Sequence, residues 1–146
     1  MARDIVVNRT ALTRSSLNQY MIKSWEYVNN RGIIVFKSIK NNFEFLNVYH
    51  RGKSYANRYL VMYITENQMS ENRYGITVSK KVGNSVVRHR VTRLIRESIR
   101  LNEEQFARGY DIVVVARNTA KDKKYQDIES ALLHLGKIHK IVNRKD

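Results

Sequence analysis

The chain has 146 residues, 42% of them hydrophobic, and its 27 Lys plus Arg outnumber 13 Asp plus Glu to give a formal net charge of +14. That length fits one domain around one modest core, and the charge points to a polyanionic partner. Without cysteine there is no disulfide framework, thiolate metal site or cysteine nucleophile, and no apolar run approaches the ~18 residues of a membrane span.

Residues 1–35 scatter Arg3, Arg9, Arg14, Lys23 and Arg31 among Ser, Thr and Asn with no sustained periodicity, so a poorly ordered basic N-terminal extension is expected. Ile33-Ile34-Val35-Phe36 is too short for the apolar region of a secretory signal. A mitochondrial-type presequence and a start further downstream are two other readings of this stretch. Residues 36–146 are expected to form the folded domain.

Ser38 is a candidate helix cap, with Ile39, Phe43 and Leu46 at i, i+4 and i+7 behind it and Gly52 as a stop, which predicts a helix over 39–51. Asn57 to Thr65 (NRYLVMYIT) is aromatic and β-branched, a strand with both faces covered. After a polar turn over 66–72, Tyr74, Ile76 and Val78 alternate with Gly75, Thr77 and Ser79 in a second strand, and the two strands are expected to pair as a hairpin. Gly83-Asn84-Ser85 then offers an N-cap to a long helix, Ser85 to about Asn102, with Val87, Val91, Leu94, Ile95 and Ser98 on one face. Asp111 to Ala116 (DIVVVA) reads as a buried central strand. A last helix is expected over 122–142, its inward face made by Ile128, Ala131, Leu132, Leu135 and Ile138. The order αββαβα predicts an α+β fold, a small mixed sheet packed by helices.

The charge is concentrated. Between Ser79 and Arg100, Lys80, Lys81, Arg88, Arg90, Arg93, Arg96 and Arg100 face Glu97 alone. At ~100° per residue, His89, Arg93, Arg96 and Arg100 form a stripe opposite Val87, Val91 and Leu94, with Arg88 and Arg90 at its borders. Guanidinium groups bind phosphate bidentately and stay charged, and a helix N-terminus after Gly83 adds N–H groups that suit the same ligand. An ordinary solvated face would need acids three or four residues from the arginines, and only Glu97 is there. Five phosphate contacts would make affinity fall with log salt at a slope of about −4.5.

Chemistry by side chains has little support. His50, His89, His134 and His139 show no metal-ligand spacing with Asp or Glu, and no P-loop or nucleophile elbow occurs. His134 and His139 read as surface groups of the last helix. No catalytic residue and no metal ligand is therefore assigned. A membrane-surface role for the 85–102 helix is disfavoured because its apolar face lacks Trp and Phe and is needed for the core.

The segment RYGITVSKKVGNSVVRHRVTRLIRE (Arg73 to Glu97) resembles the signature of the bacterial ribonuclease P protein component. The family's Arg-Asn-Arg element reads Arg88-His89-Arg90 here, with His89 in place of Asn and Thr92 where Lys is common. FEFLNVYHRGKSYANRYLVMY (Phe43 to Tyr63), YDIVVVARNTA (Tyr110 to Ala120) and YQDIESALLHL (Tyr125 to Leu135) resemble further family segments in the right order.

The resemblance implies an α-β sandwich with a left-handed βαβ crossover. It implies a subunit of a ribonucleoprotein that removes the 5′ leader of precursor tRNA endonucleolytically in the cytoplasm. The catalytic RNA would do the chemistry with Mg²⁺ bound mainly by that RNA. Lys80, Lys81, Arg88, His89, Arg90, Arg93, Arg96 and Arg100 would then lie against the RNA subunit. Phe45, Tyr49 and Tyr63 would line a cleft for the single-stranded leader, with Lys53 and Arg58 meeting its phosphates; stacking on such aromatics tolerates any base. No membrane and no obligate protein partner is implied. The rival reading is a non-enzymatic ribosomal or architectural RNA-binding protein, for which the basic face would serve equally well.

Overall fold

A computed structural model describes residues 26–28, 34–39 and 41–142 of the chain. In chain order the elements are β1 (Glu26–Val28), β2 (Ile34–Ser38), α1 (Asn42–Arg51), β3 (Lys53–Ala56), β4 (Leu60–Glu66), β5 (Arg73–Thr77), α2 (Ser85–Asn102), β6 (Tyr110–Ala116) and α3 (Tyr125–Ile138). The extension expected over residues 1–35 lies largely outside the described residues. Within it, β1 pairs antiparallel with β2, Glu26 opposite Lys37.

The alternation read in the strands sorts side chains onto two faces. Leu60, Met62 and Ile64 of β4, Tyr74 and Ile76 of β5, and Ile112 and Val114 of β6 point to one side. There they meet Val91, Ile95 and Ile99 of α2 and Ile128, Leu132 and Leu135 of α3, which makes the main core. Tyr63 and Val113 point to the other side, where Ile39 and Val48 join them in a smaller cluster covered by α1. Among the described residues the sheet has six strands in the order β1-β2-β5-β6-β4-β3. β5 runs parallel to both β2 and β6, and the remaining pairs are antiparallel. Helices cover a mixed sheet, the expected α+β class.

The expected hairpin does not form. β6 lies between β4 and β5, with Ile64 opposite Ile112 on one side and Tyr74 opposite Ile112 on the other. Two causes act together. The β6 segment carries the apolar run Ile112–Ala116, buried along most of its length, and takes the place between β4 and β5. The polar connector 67–72 is a bridge rather than a tight turn, because it bonds across the end of β6. Asn67 N–H donates to the Gly109 carbonyl at 3.0 Å, the Asn72 amide donates to the Ala107 carbonyl at 2.7 Å, and the Tyr110 N–H donates to Asn72 Oδ1 at 2.9 Å.

The first helix also starts later than expected. Ser38 ends β2, and Ile39 N–H still donates to the Tyr74 carbonyl at 3.0 Å in strand fashion. Asn41 is the cap, its Oδ1 accepting the Glu44 N–H at 2.9 Å. With Ile39 outside the helix, the buried stripe is Phe45, Val48 and Tyr49, and Phe43 stands 79% exposed. Gly52 stops α1 as expected, because a Cβ there would collide with the Val48 and Ile64 carbonyl oxygens. The last helix is shorter than expected at both ends. Residues 121–124 form a turn before it, and beyond it the Ile141 and Val142 N–H groups fold back onto the Gly136 carbonyl.

Candidate RNA interface

α2 is capped by Asn84, whose Oδ1 accepts the Val87 N–H at 3.0 Å, and no acidic residue stands in its first turn. Its inward stripe, Val91, Thr92, Ile95, Ser98, Ile99 and Asn102, is buried against the sheet and α3, with Val87 and Leu94 half-buried beside it. Thr92, the departure from the family pattern, faces the core at 8% exposure and takes no part in the cationic side. His89, Arg90, Arg93 and Arg100 are exposed, and Arg88 and Arg96 are half-buried along the border. Lys80 and Lys81 are exposed in the turn that leads into the helix.

These cations are not equivalent. Arg100 is paired with Glu97 one turn earlier, Nε to Oε2 at 3.0 Å, and that bond holds the Glu97 carboxyl below its ordinary range. The outer end of the stripe is therefore locally neutralised. Arg90 donates from Nη2 to the Lys123 carbonyl at 2.8 Å and from Nη1 to the Lys121 carbonyl at 3.4 Å, which ties α2 to the turn before α3. Arg88 Nε is buried without a hydrogen-bond partner among the described residues. His89 and Arg93 project from the exposed side.

The aromatics of α1 lie on the opposite face of the sheet. The Phe45 ring rests over Gly75, where an added Cβ would stand 2.5 Å from its Cε1. Glycine at this strand position is what leaves room for the ring against the backbone. Tyr49 Oη donates to Thr77 Oγ1 at 3.4 Å, and its ring meets Tyr63 edge to face at 4.5 Å. Tyr63 itself is only 5% exposed. It supports Tyr49 from beneath and presents no face of its own, so the shelf expected from three rings consists of Phe45 and Tyr49. Val61 and Val115, half-buried beside them, extend its floor.

Lys53 and Arg58 are not brought to this shelf together. Lys53 belongs to β3, a strand not expected from the sequence, and pairs with Ile64. Cross-strand partners share a face, so Lys53 lies on the α3 side, opposite to Tyr63. Arg58 is exposed in the bend after β3, and its carbonyl accepts a bond from the Thr119 hydroxyl.

One residue that pattern reading left unassigned organises this face. Arg73 donates from Nε and Nη2 to the two Asp111 oxygens at 2.9 and 2.7 Å and from Nη1 to Glu44 at 3.0 Å, joining β5, β6 and α1. Both partners raise its pKa above the ordinary guanidinium value. A further missed feature is the run RNTAKDKK, whose Arg117, Lys121, Lys123 and Lys124 face Asp122 alone. Its signal was a second local excess of charge.

His139 is not the surface group expected. It is half-buried, with its ring edge to face with Tyr55 at 4.7 Å and its Nε2 2.9 Å from the Met62 carbonyl. His134 is exposed, its Nδ1 3.2 Å from the Asn57 amide. Among the described residues no group of three or more His, Cys, Asp or Glu stands ready to hold a metal ion. No described helix is long and apolar enough to cross a membrane.

The family model described as Ribonuclease P matches residues 35–140, most of the chain. The chain belongs to the ribonuclease P protein family. The "Ribonuclease P protein component" of Lachnoclostridium phytofermentans is 59% identical over 110 residues, covering 75% of this chain and 95% of that protein. That of Clostridium botulinum is 57% identical over 106 residues, covering 72% and 96%. Among solved structures, the RNase P protein of Staphylococcus aureus superposes with a TM-score of 0.67 at 40% identity, over 73% of this chain and 97% of that one. The RNase P protein of Thermotoga maritima gives 0.65 at 30% identity, over 70% and 96%. Nothing in these matches favours a ribosomal or architectural protein. The ribonuclease P family assignment thus covers both the cationic side of α2 and the α1 shelf.

Proposed function

We propose that this ribonuclease P protein binds the catalytic RNA through the exposed side of α2 with Lys80 and Lys81, and receives the 5′ leader of precursor tRNA on the Phe45–Tyr49 shelf. The observation that carries the reading is the division of α2 into a buried apolar stripe and an opposite side rich in arginine. Phosphate groups on a folded RNA match that side in charge and in geometry. The shelf is half-apolar and aromatic, which suits unpaired bases of any sequence.

In this reading the holoenzyme, in the cytoplasm, cleaves the phosphodiester that joins leader to mature tRNA, and the protein supplies binding and orientation. Mg²⁺ belongs to the RNA partner. The carboxylates on the shelf's side of the sheet, Glu44 and Asp111, are both engaged by Arg73 and offer no free oxygen cage.

The test is reconstitution of the full chain with ribonuclease P RNA and precursor tRNA at low Mg²⁺. Addition of the protein should raise the rate of 5′ leader removal. No gain in processing would return the protein to the class of structural RNA binders.

A further inference from the structure

The Arg90 bonds bring a second set of cations to the α2 face. Residues 117–124 connect β6 to α3 and carry Arg117, Lys121, Lys123 and Lys124 against the single carboxylate of Asp122. Lys121 and Lys124 are exposed. The Lys123 ammonium lies over the Tyr59 ring, 5.3 Å from its centre, a seat that orders a half-buried side chain. Asp127 is occupied as the acceptor of the Lys124 N–H at 3.1 Å, at the start of α3.

Arg90 reaches this turn only through main-chain carbonyls, at Lys121 and Lys123. A guanidinium bonded to two carbonyls fixes the backbone it touches and has fewer donors left for phosphate. His89 and Arg93, close to Arg90 along α2, are exposed.

We infer that the 121–124 turn is a second phosphate-binding element for the RNA subunit, continuous with the α2 face, and that Arg90 is a positioning residue that holds it there. The inference rests on the reading of α2 as the RNA-subunit face. It assigns Lys121, Lys123 and Lys124 to an interface that motif reading confines to residues 80–100. It also gives Arg90 a different task from that of Arg93.

The experiment is equilibrium binding of the full chain to ribonuclease P RNA across 50 to 200 mM monovalent salt at fixed Mg²⁺. Glutamine replaces each cation so that length and polarity are kept. Loss of three phosphate contacts in K121Q/K123Q/K124Q should make the log–log slope shallower by about 2 to 3, so that affinity lost over that salt range shrinks by roughly 30-fold. R90Q should weaken binding in the wild-type background but change it less than twofold in the triple-glutamine background. Thermal melting confirms that each variant remains folded.

A wild-type slope in the triple variant, or an R90Q effect of the same size in both backgrounds, would overturn the inference. So would a triple variant altered only in its preference for leader-bearing over leaderless tRNA. Arg93→Ala separates the two levels: if it too leaves RNA binding unchanged, the reading of α2 falls, whereas an effect of Arg93→Ala alone removes only the role of the turn.

Discussion

Arg73 sits at the meeting point of three elements, and its removal has a calculable consequence. Asp111 is 4% exposed, and a buried carboxylate left without its cation costs about 3 to 5 kcal/mol. Arg73→Ala is therefore expected to lower unfolding free energy by at least about 3 kcal/mol, read as an earlier urea midpoint. An effect below about 1 kcal/mol, the range of surface pairs, would show that the pair is solvated. His139 has the opposite polarity. Burial lowers its pKa, the Met62 carbonyl bond raises it, and the charge of Lys53 lowers it, with burial the largest effect. The fold thus favours the neutral ring, and this contribution is complete above the unfolded value near 6.5 and lost as pH falls through the lower folded value. Stability of the wild type should drop more between pH 7 and pH 5 than that of His139→Gln, and equal slopes would remove the assignment. Neither residue announced itself in the sequence. Arg73 stands there unassigned between a polar turn and the alternation that begins at Tyr74, and the contacts that bury it come from segments about 30 and 40 residues away.

At the scale of elements, the two working surfaces were legible to different depths. The α2 stripe was legible because one helix carries both of its sides, so periodicity alone separates Val91 and Ile95 from His89 and Arg93. The α1 shelf was half-legible. Two stripes overlap in its sequence, Ile39–Phe43–Leu46 and Phe45–Val48–Tyr49, and the cap at Asn41 decides between them by leaving Ile39 outside the helix. Lys53 went to the wrong face because β3 was read as a turn, and a strand's side-chain parity is invisible until the strand is known. Phe45 is the residue on which the leader assignment turns. Phe45→Ala should weaken leader-bearing precursor tRNA by the ~1 to 3 kcal/mol of one stacked base, about 5- to 150-fold in affinity, and leave leaderless tRNA within twofold. Equal losses on both substrates, measured with the reconstituted complex, would place the ring in the core instead.

The whole molecule differs from the sequence reading chiefly in the place of β6. β4, β5 and β6 were identifiable from their own residues, but neighbours in a sheet are chosen by segments far apart in the chain. That choice sets an order of events on the ribosome. β4 and β5 are complete by Thr77, yet the strand both must pair with ends at Ala116. At about 5 to 20 residues per second, the roughly 40 residues between them take about 2 to 8 s to synthesise. During that interval two apolar strand edges are made with nothing to close them. A chain ending at Gly109 should accordingly show no cooperative urea transition and be cleaved rapidly by protease, where the full chain gives a single transition. The central strand, the last of the sheet to be made, is the piece that turns a nascent chain into a folded one.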